Sequence, residues 1–355
     1  MNLTHYTNSD KEILKGLKPL NCLEFLYENP FSYKDAPILL QMEDEGECVG
    51  SVYAFPLQLC HKNGEVFTAC AGSTLEVKQE FRGLGLAKKM TLKRLELTKD
   101  RIAIASGLSN MSLPLFRKLG FSVFISKRNI YLKNSRPIVE IFFKNALLLS
   151  LFTNLLNCFL GILKMFLSFQ RFLLFRGLSI EEVENAPTEI EEIICMDPSL
   201  FRENHDRNWF KWILKGGFVL DDRSKQHLFV VKNKNEIIGF YMTKERFHKQ
   251  ASHRGFKNII LGSVIEWGVK PGISLKEEHL ILDAILSFGR HVDAVEVCTA
   301  NEKINRFLKN RLLVGVGESN FAVKAHENSP MALLPEYKEQ INWRIRPAAS
   351  DNSFN

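Results

Sequence analysis

The 355-residue chain is long enough for two domains with full cores, and 45% hydrophobic with 25% charged residues excludes wholesale disorder. A formal charge of +7 is mild at this length, and no Lys/Arg block exceeds a few residues. That balance speaks against a nucleic-acid partner and suits an anionic cofactor or a phospholipid surface. The seven cysteines (Cys22, Cys48, Cys60, Cys70, Cys158, Cys195 and Cys298) contain no Cys-x-x-Cys pair, so no zinc, no other metal and no disulfide framework is expected. The opening Met1-Asn2-Leu3-Thr4-His5 lacks a basic-then-apolar leader, so the expected compartment is the reducing cytoplasm.

In chain order, residues 36–42 and 48–55 read as strands joined by an acidic turn at 43–47. Residues 66–77 supply a further strand, which passes through a short turn into Arg82-Gly83-Leu84-Gly85-Leu86-Ala87 and a helical run from Lys88 to Leu95. Glycines at a helix start let the backbone approach a ligand, and the unpaired first N–H groups and positive dipole end then face it. A pyrophosphate fits that description. The spacing Arg-x-x-Gly-x-Ala is neither the dinucleotide fingerprint Gly-x-Gly-x-x-Gly nor a Walker loop, which needs Gly-Lys-Ser/Thr. Next, Ile102-Ala103-Ile104-Ala105 reads as a strand, followed by a block from Ser109 to Phe121. Asn110 is a sound N-cap there, and Gly120 sits where a helix C-terminus favours positive φ.

The order and separation of these two blocks resemble the GNAT family of N-acetyltransferases. The acetyl-CoA loop of that family reads Gln/Arg-x-x-Gly-x-Gly/Ala, and its next element has an Asn opening a short helix that ends in an aromatic and Gly-Phe. With strands around Phe124-Ile125 and 129–132, the element order is the mixed α/β order expected of a GNAT domain ending near Arg136-Pro137. The resemblance implies that backbone groups of Leu75 and Val77 hold the pantetheine and carbonyl of acetyl-CoA. It also implies that Arg82, Gly83, Leu84, Gly85, Leu86, Ala87 and Lys88 hold the pyrophosphate, with Asn110 close to the thiol arm. Phe116 falls among the cofactor-binding positions, where many members carry a Tyr that protonates the thiolate. Glu76, with Asn110, is the catalytic candidate, as the one carboxylate on the cofactor strand. Alternation puts it on the other face from Leu75 and Val77, and a solvated strand-end Glu is the alternative. Ser106, Ser109 and Tyr131 could take part, while Cys70 reads as a packing residue.

A long apolar stretch, 141–175, follows, with no charge between Ala146 and Leu163. This nearly meets the length of a membrane span. Ser150, Asn154, Asn157, Gly161, Lys164, Ser168 and Arg171 recur at alternating steps of four and three, tracing one polar stripe on a helix. Burial against the domains or a second copy ranks first, docking on a membrane surface second, and a span third.

From about Ile180 the pattern of the first part returns. A hairpin at 229–242, a strand at 259–269, a helix from Glu277, a strand at 294–299 and the run from Asn301 to Phe307 appear in the same order. Val77 to Asn110 is 33 residues and Val269 to Asn301 is 32, while Asn110–Phe116 and Asn301–Phe307 are both six apart. We therefore expect tandem GNAT-like α/β domains at 1–137 and 179–355, linked by an apolar helix at 138–178. The second copy has Lys270-Pro271-Gly272-Ile273-Ser274 where the phosphate loop should stand, and Arg311-Leu312 in place of Gly-Phe, so it should bind no CoA. Asn342-Trp343 through Asp351 and Asp206-Arg207-Asn208-Trp209 loosely resemble segments of tandem GNAT proteins from bacterial surface-polysaccharide clusters.

The implied reaction is acetyl transfer from acetyl-CoA by direct attack of a primary amine on a small metabolite or a nucleotide- or lipid-linked sugar. Two alternatives stand beside it. One is a non-catalytic CoA-binding scaffold, and the other a membrane-surface acyltransferase using 141–175 for lipid contact or dimerisation.

Overall fold

A computed structural model describes residues 1–16, 29–108, 111–143, 145–215, 225–251, 256–311 and 316–346. In chain order the elements begin with β1 (Asn2–Thr7), α1 (Lys11–Gly16), β2 (Pro37–Asp44), β3 (Glu47–His61) and β4 (Val66–Val77). They continue with α2 (Leu86–Leu97), β5 (Ile102–Ala105), α3 (Leu113–Lys118), β6 (Ser122–Leu132), α4 (Arg136–Phe142) and α5 (Ala146–Leu174). The remainder runs β7 (Leu178–Val183), α6 (Thr188–Cys195), β8 (Phe201–Glu203), α7 (Arg207–Leu214), β9 (Lys225–Asn233) and β10 (Glu236–Ala251). It ends with β11 (Phe256–Val269), α8 (Glu277–Ser287), β12 (Ala294–Thr299), α9 (Glu302–Lys309), β13 (Val316–Lys324) and β14 (Trp343–Arg344).

Two compact units emerge, and they cut across the sequential division expected at 137 and 178. One comprises Met1–Ser126, Pro198–Phe218 and Ser319–Asn355, and the other Lys127–Asp197 and Val219–Glu318. In the first unit the sheet order is β1-β2-β3-β4-β5-β13, completed by the start of β6. Along this order β4 and β5 are parallel, a pairing that needs a crossover, and α2 supplies it. Leu86 and Met90 of that helix pack on Leu40, Val52 and Ala54 of the sheet, a cluster that removes α2's inner face from water. A strand from the far end of the chain, β13, lies antiparallel to β5 through Ala322–Ala105 and Val323–Ile104. Likewise β8 pairs with β3, and Trp343 of β14 sits against Phe201, Phe321 and Phe124 with ring centroids 5.2, 5.7 and 5.9 Å away.

The second unit has the order β12-β11-β10-β9-β7, with residues 127–132 of β6 antiparallel to β12. Here β11 and β12 are the parallel pair and α8 the crossover, its Leu280, Ile281, Ala284 and Ile285 buried with Trp267, Val264 and Val295. Asn301 caps α9 by accepting from the Lys303 and Ile304 N–H groups at 3.0 and 3.4 Å, as its place before the helix predicts.

The apolar helix exists, with Asn145 as its cap, over 29 residues. Its burial differs from expectation. Only Leu160 and Leu167 are buried, while fourteen large apolar side chains between Leu147 and Leu174 stand exposed. The side of α5 carrying Asn157 and Arg171 is the one that meets the unit. Asn157 Oδ1 accepts from Ser135 N at 2.9 Å, and Arg171 pairs with the buried carboxylate of Asp283.

Candidate functional site

The site in the first unit starts from two strands that part. The pairing of β4 with β5 runs Ala69–Ile102, Cys70–Ala103, Ala71–Ile104 and Gly72–Ala105, and stops there. Beyond Gly72 no strand among the described residues pairs with that edge of β4, which leaves an opening between β4 and β5, and the Val77 carbonyl accepts from Arg82 Nε. On the other edge, Ser51 pairs with Glu76 and Tyr53 with Ser73, so Val52 stands opposite two residues, Thr74 and Leu75. That extra residue is a β-bulge, which bends the strand and re-aims its backbone. Bulge and opening coincide at the positions assigned to the pantetheine and carbonyl.

One buried cation fixes where the strands part. Arg94, on the third turn of α2, is 1% exposed. Its Nη1 donates to the carbonyls of Cys70 at 3.2 Å and Ile104 at 3.3 Å, one from each strand. The guanidinium occupies the place a side chain at residue 72 would need, since a Cβ on Gly72 would lie 2.6 Å from Arg94 Cζ. A glycine at the last paired position therefore admits the arginine that pins the pair.

Beyond Val77 the chain makes a 3-10 turn at Gln79–Phe81, and Arg82 Nε donates back to the Val77 carbonyl at 3.1 Å. Gly83 and Gly85 then adopt φ of +86° and +76°, the left-handed region that glycine enters without steric cost. Gly85 is the N-cap of α2 and brings no side chain to satisfy the first helical N–H groups. No acidic residue lies in the first turn, and Arg82, Lys88 and Lys89 are exposed around it. A Cβ at Gly83 or Gly85 would meet nothing within 4 Å, so the cradle is open to a ligand. Free N–H donors, a positive helix end and three exposed cations make this an anion seat.

The other expected residues fall as follows. Leu75 and Val77 pack their side chains on the cluster around Met90. Glu76 is exposed on the opposite face of the strand. Phe116 is 4% exposed and packs edge-on against Phe121, ring centroids 5.0 Å apart, with Ala103, Ala105 and Ala322. Ser109 and Asn110 lie outside the described residues. Cys70 is buried, and burial pushes its thiol up, which suits packing and not nucleophilic attack. Among the described residues no group of three or more His, Cys, Asp or Glu could hold a metal.

The sequence reading missed a second polar cluster in this unit. His205 stacks on Trp209 with ring centroids 3.8 Å apart, and its Nε2 lies 3.4 Å from Glu203 Oε2. Asn29, Gln58 and Trp212 line a small cleft beside them. Register places it away from the β4 bulge, because Gln58 pairs with Thr68, roughly 20 Å along β4 from it. Nothing in the spacing of 203–212 signals such a cleft beyond the Asp206 cap, which accepts from Trp209 N at 2.8 Å.

No family profile and no curated protein matches the sequence. Solved structures do match. N-myristoyltransferase of Saccharomyces cerevisiae with bound myristoyl-CoA aligns over 93% of this chain and 83% of its own, at 12% identity and a TM-score of 0.56. The same enzyme with myristoyl-CoA and inhibitors gives 0.57 at 12% identity, over 93% and 81% of the two chains. A GCN5-related N-acetyltransferase from Anabaena variabilis aligns at 0.49 with 11% identity, over 92% and 73%. The chain shares the fold of N-myristoyltransferase. In that fold the mixed α/β sheet, the parted parallel strands and the glycine turn before α2 lie in one unit of this protein.

Proposed function

We propose that the protein is an acyl-CoA-dependent N-acyltransferase whose donor lies in the first unit. The observation that carries this reading is the end of the β4–β5 pairing at Gly72, with a bulge just after it, together with a side-chain-free helix N-terminus nine residues beyond Val77. The loop 82–88 takes the pyrophosphate, and the β4 backbone takes the pantetheine amides as an added strand edge. The acyl carbonyl then sits at the bulge. A primary amine on a small metabolite or a nucleotide- or lipid-linked sugar attacks the thioester carbon. The C–N bond forms as the C–S bond breaks, the amine loses a proton, and the thiolate leaves and takes one up. The acyl group we assign is acetyl, as the loop resemblance implies.

We further propose that the second unit is a degenerate copy of the first. Its parallel pair ends at Val264–Val297, five residues before Val269, as the first ends at Gly72–Ala105, five before Val77. An irregularity follows in both, after Ser51 on β3 and after Met242 on β10. Where the first unit offers Lys88 and Lys89, α8 opens with Glu277 and Glu278, which repel a pyrophosphate. One donor per chain is the consequence.

The burial of Phe116, without a hydroxyl, favours a second reading in which the first unit binds CoA and does no chemistry. One assay separates the two. The protein is incubated with acetyl-CoA or longer acyl-CoAs and a pool of primary-amine metabolites, and free thiol and acylated products are read by mass spectrometry. Amine-dependent thiol release supports the transferase. Tight CoA binding without turnover against any amine supports the scaffold.

A further inference from the structure

We propose that α5 lies in the plane of an anionic lipid bilayer, its outer face immersed, and anchors the protein there as a monotopic helix. The helix is inside out for a water-soluble protein. Its inward stripe holds Asn157, which accepts from the Ser135 N–H and hydroxyl at 2.9 Å each, and at its flank Gln170 accepts from Arg311 Nε at 3.3 Å. Arg171 closes the stripe on buried Asp283, with Leu160 and Leu167 between. Leu163 packs beside them on the core, while fourteen large apolar side chains stand exposed, including Leu151, Leu155, Phe159, Ile162, Phe166 and Phe169.

Width decides between the candidate occupants. At about 100° per residue the exposed apolar positions sweep an arc of about 200°, along a helix of roughly 44 Å. A partner helix covers a stripe nearer 100°, so a second copy packed helix to helix leaves about half of that arc in water. A bilayer covers a face of any width. Charge points the same way. From Ile141 to Ile180 the sequence carries Lys144, Lys164 and Arg176, besides Arg171 that pairs inward with Asp283, and no Asp or Glu, the balance that anionic headgroups attract. Beside it on α4, Ile141 and Phe142 are exposed and widen the apolar surface. A span is excluded by the inward bonds. Asn157 and Arg171 tie the helix to its own unit at points roughly 20 Å apart, so lipid cannot surround it without breaking both.

The test uses the full chain and does not depend on acyltransfer. Flotation is measured with phosphatidylcholine vesicles, with and without phosphatidylglycerol, for the wild type and for Phe159→Asp/Phe166→Asp. Both residues are exposed, so circular dichroism and the melting curve should be unchanged. The wild type should float with anionic vesicles and more weakly with neutral ones or in raised salt. The double variant should lose affinity by about a hundredfold, about tenfold for each phenylalanine withdrawn from lipid. All four tryptophans, Trp209, Trp212, Trp267 and Trp343, are buried, so Phe159→Trp adds one exposed reporter. Lipids brominated near the carbonyl should quench it more than lipids brominated at the chain ends. Deeper quenching would make the helix a span and overturn the proposal. So would no flotation, equal flotation of the double variant, or a lipid-free dimer that the double variant dissociates, which would assign the face to a second copy.

Discussion

The phosphate seat is tested most directly by Gly85→Glu. A Cβ at this position meets nothing within 4 Å, so the new side chain enters the open cradle and displaces no part of the core. Forcing a non-glycine residue to φ +76° costs about 1–2 kcal/mol of stability. Gly64, in the turn between β3 and β4, has φ +91° and equally open surroundings, so Gly64→Glu carries the same strain without touching the site. In the cradle, a carboxylate some 4–5 Å from a phosphate costs about 3–4 kcal/mol per charge at an effective dielectric of 20. Solvent screening at this exposed loop cuts that to about 3 kcal/mol for the whole pyrophosphate, or over a hundredfold in Kd. Calorimetric titration with acetyl-CoA should show that loss for Gly85→Glu, and wild-type affinity for Gly64→Glu despite its similar melting temperature. Affinity within about threefold of wild type in Gly85→Glu would remove the pyrophosphate from α2 and refute the site.

Three further outcomes follow from particular contacts. Gly72→Ala should destabilise the first unit by about 1–3 kcal/mol in urea unfolding, because the methyl group displaces the Arg94 guanidinium, and acetyl-CoA affinity should fall with it. Arg171→Ala should cost about 2–3 kcal/mol, since it strips the cationic partner from the fully buried Asp283, which keeps the Tyr241 hydroxyl at 2.5 Å. No loss on denaturant unfolding would mean that α5 is not held by its polar side. Lys133, whose ammonium donates to the Phe288 and Gly289 carbonyls, is brought down from 10.5 to about 8 by burial, with Lys164 adding to the effect. Its folded pKa lies below its unfolded one, so the penalty is fully present below about 8 and is relieved as pH rises towards 10.5. Stability should therefore gain about 1 kcal/mol over that window after screening, relative to Lys133→Met, measured by paired urea curves at the two ends.

The glycine turn before α2 was legible in the sequence because its geometry is local. Only glycine takes φ near +80° freely, so two glycines before a helical run report the backbone of that turn with little help from elsewhere. Asn301 was legible as a cap for the same reason, and the repeated offsets gave the order of strands and crossover helices in both halves. What the tertiary structure decided depends on residues far apart in the chain. Arg94 reads as one more basic residue on a helix until Cys70, Gly72 and Ile104 surround it. The pairing of β13 with β5 and of β6 with β12 gives each unit a closing strand from the other half of the chain, which composition and spacing do not encode. The apolar helix shows the division most clearly. Periodicity fixed that it has a polar stripe and a broad apolar face, but not which of them turns inward. That choice rests on Asp283 and Ser135, whose buried charge and hydrogen-bonding groups claim the stripe and leave the apolar face outside.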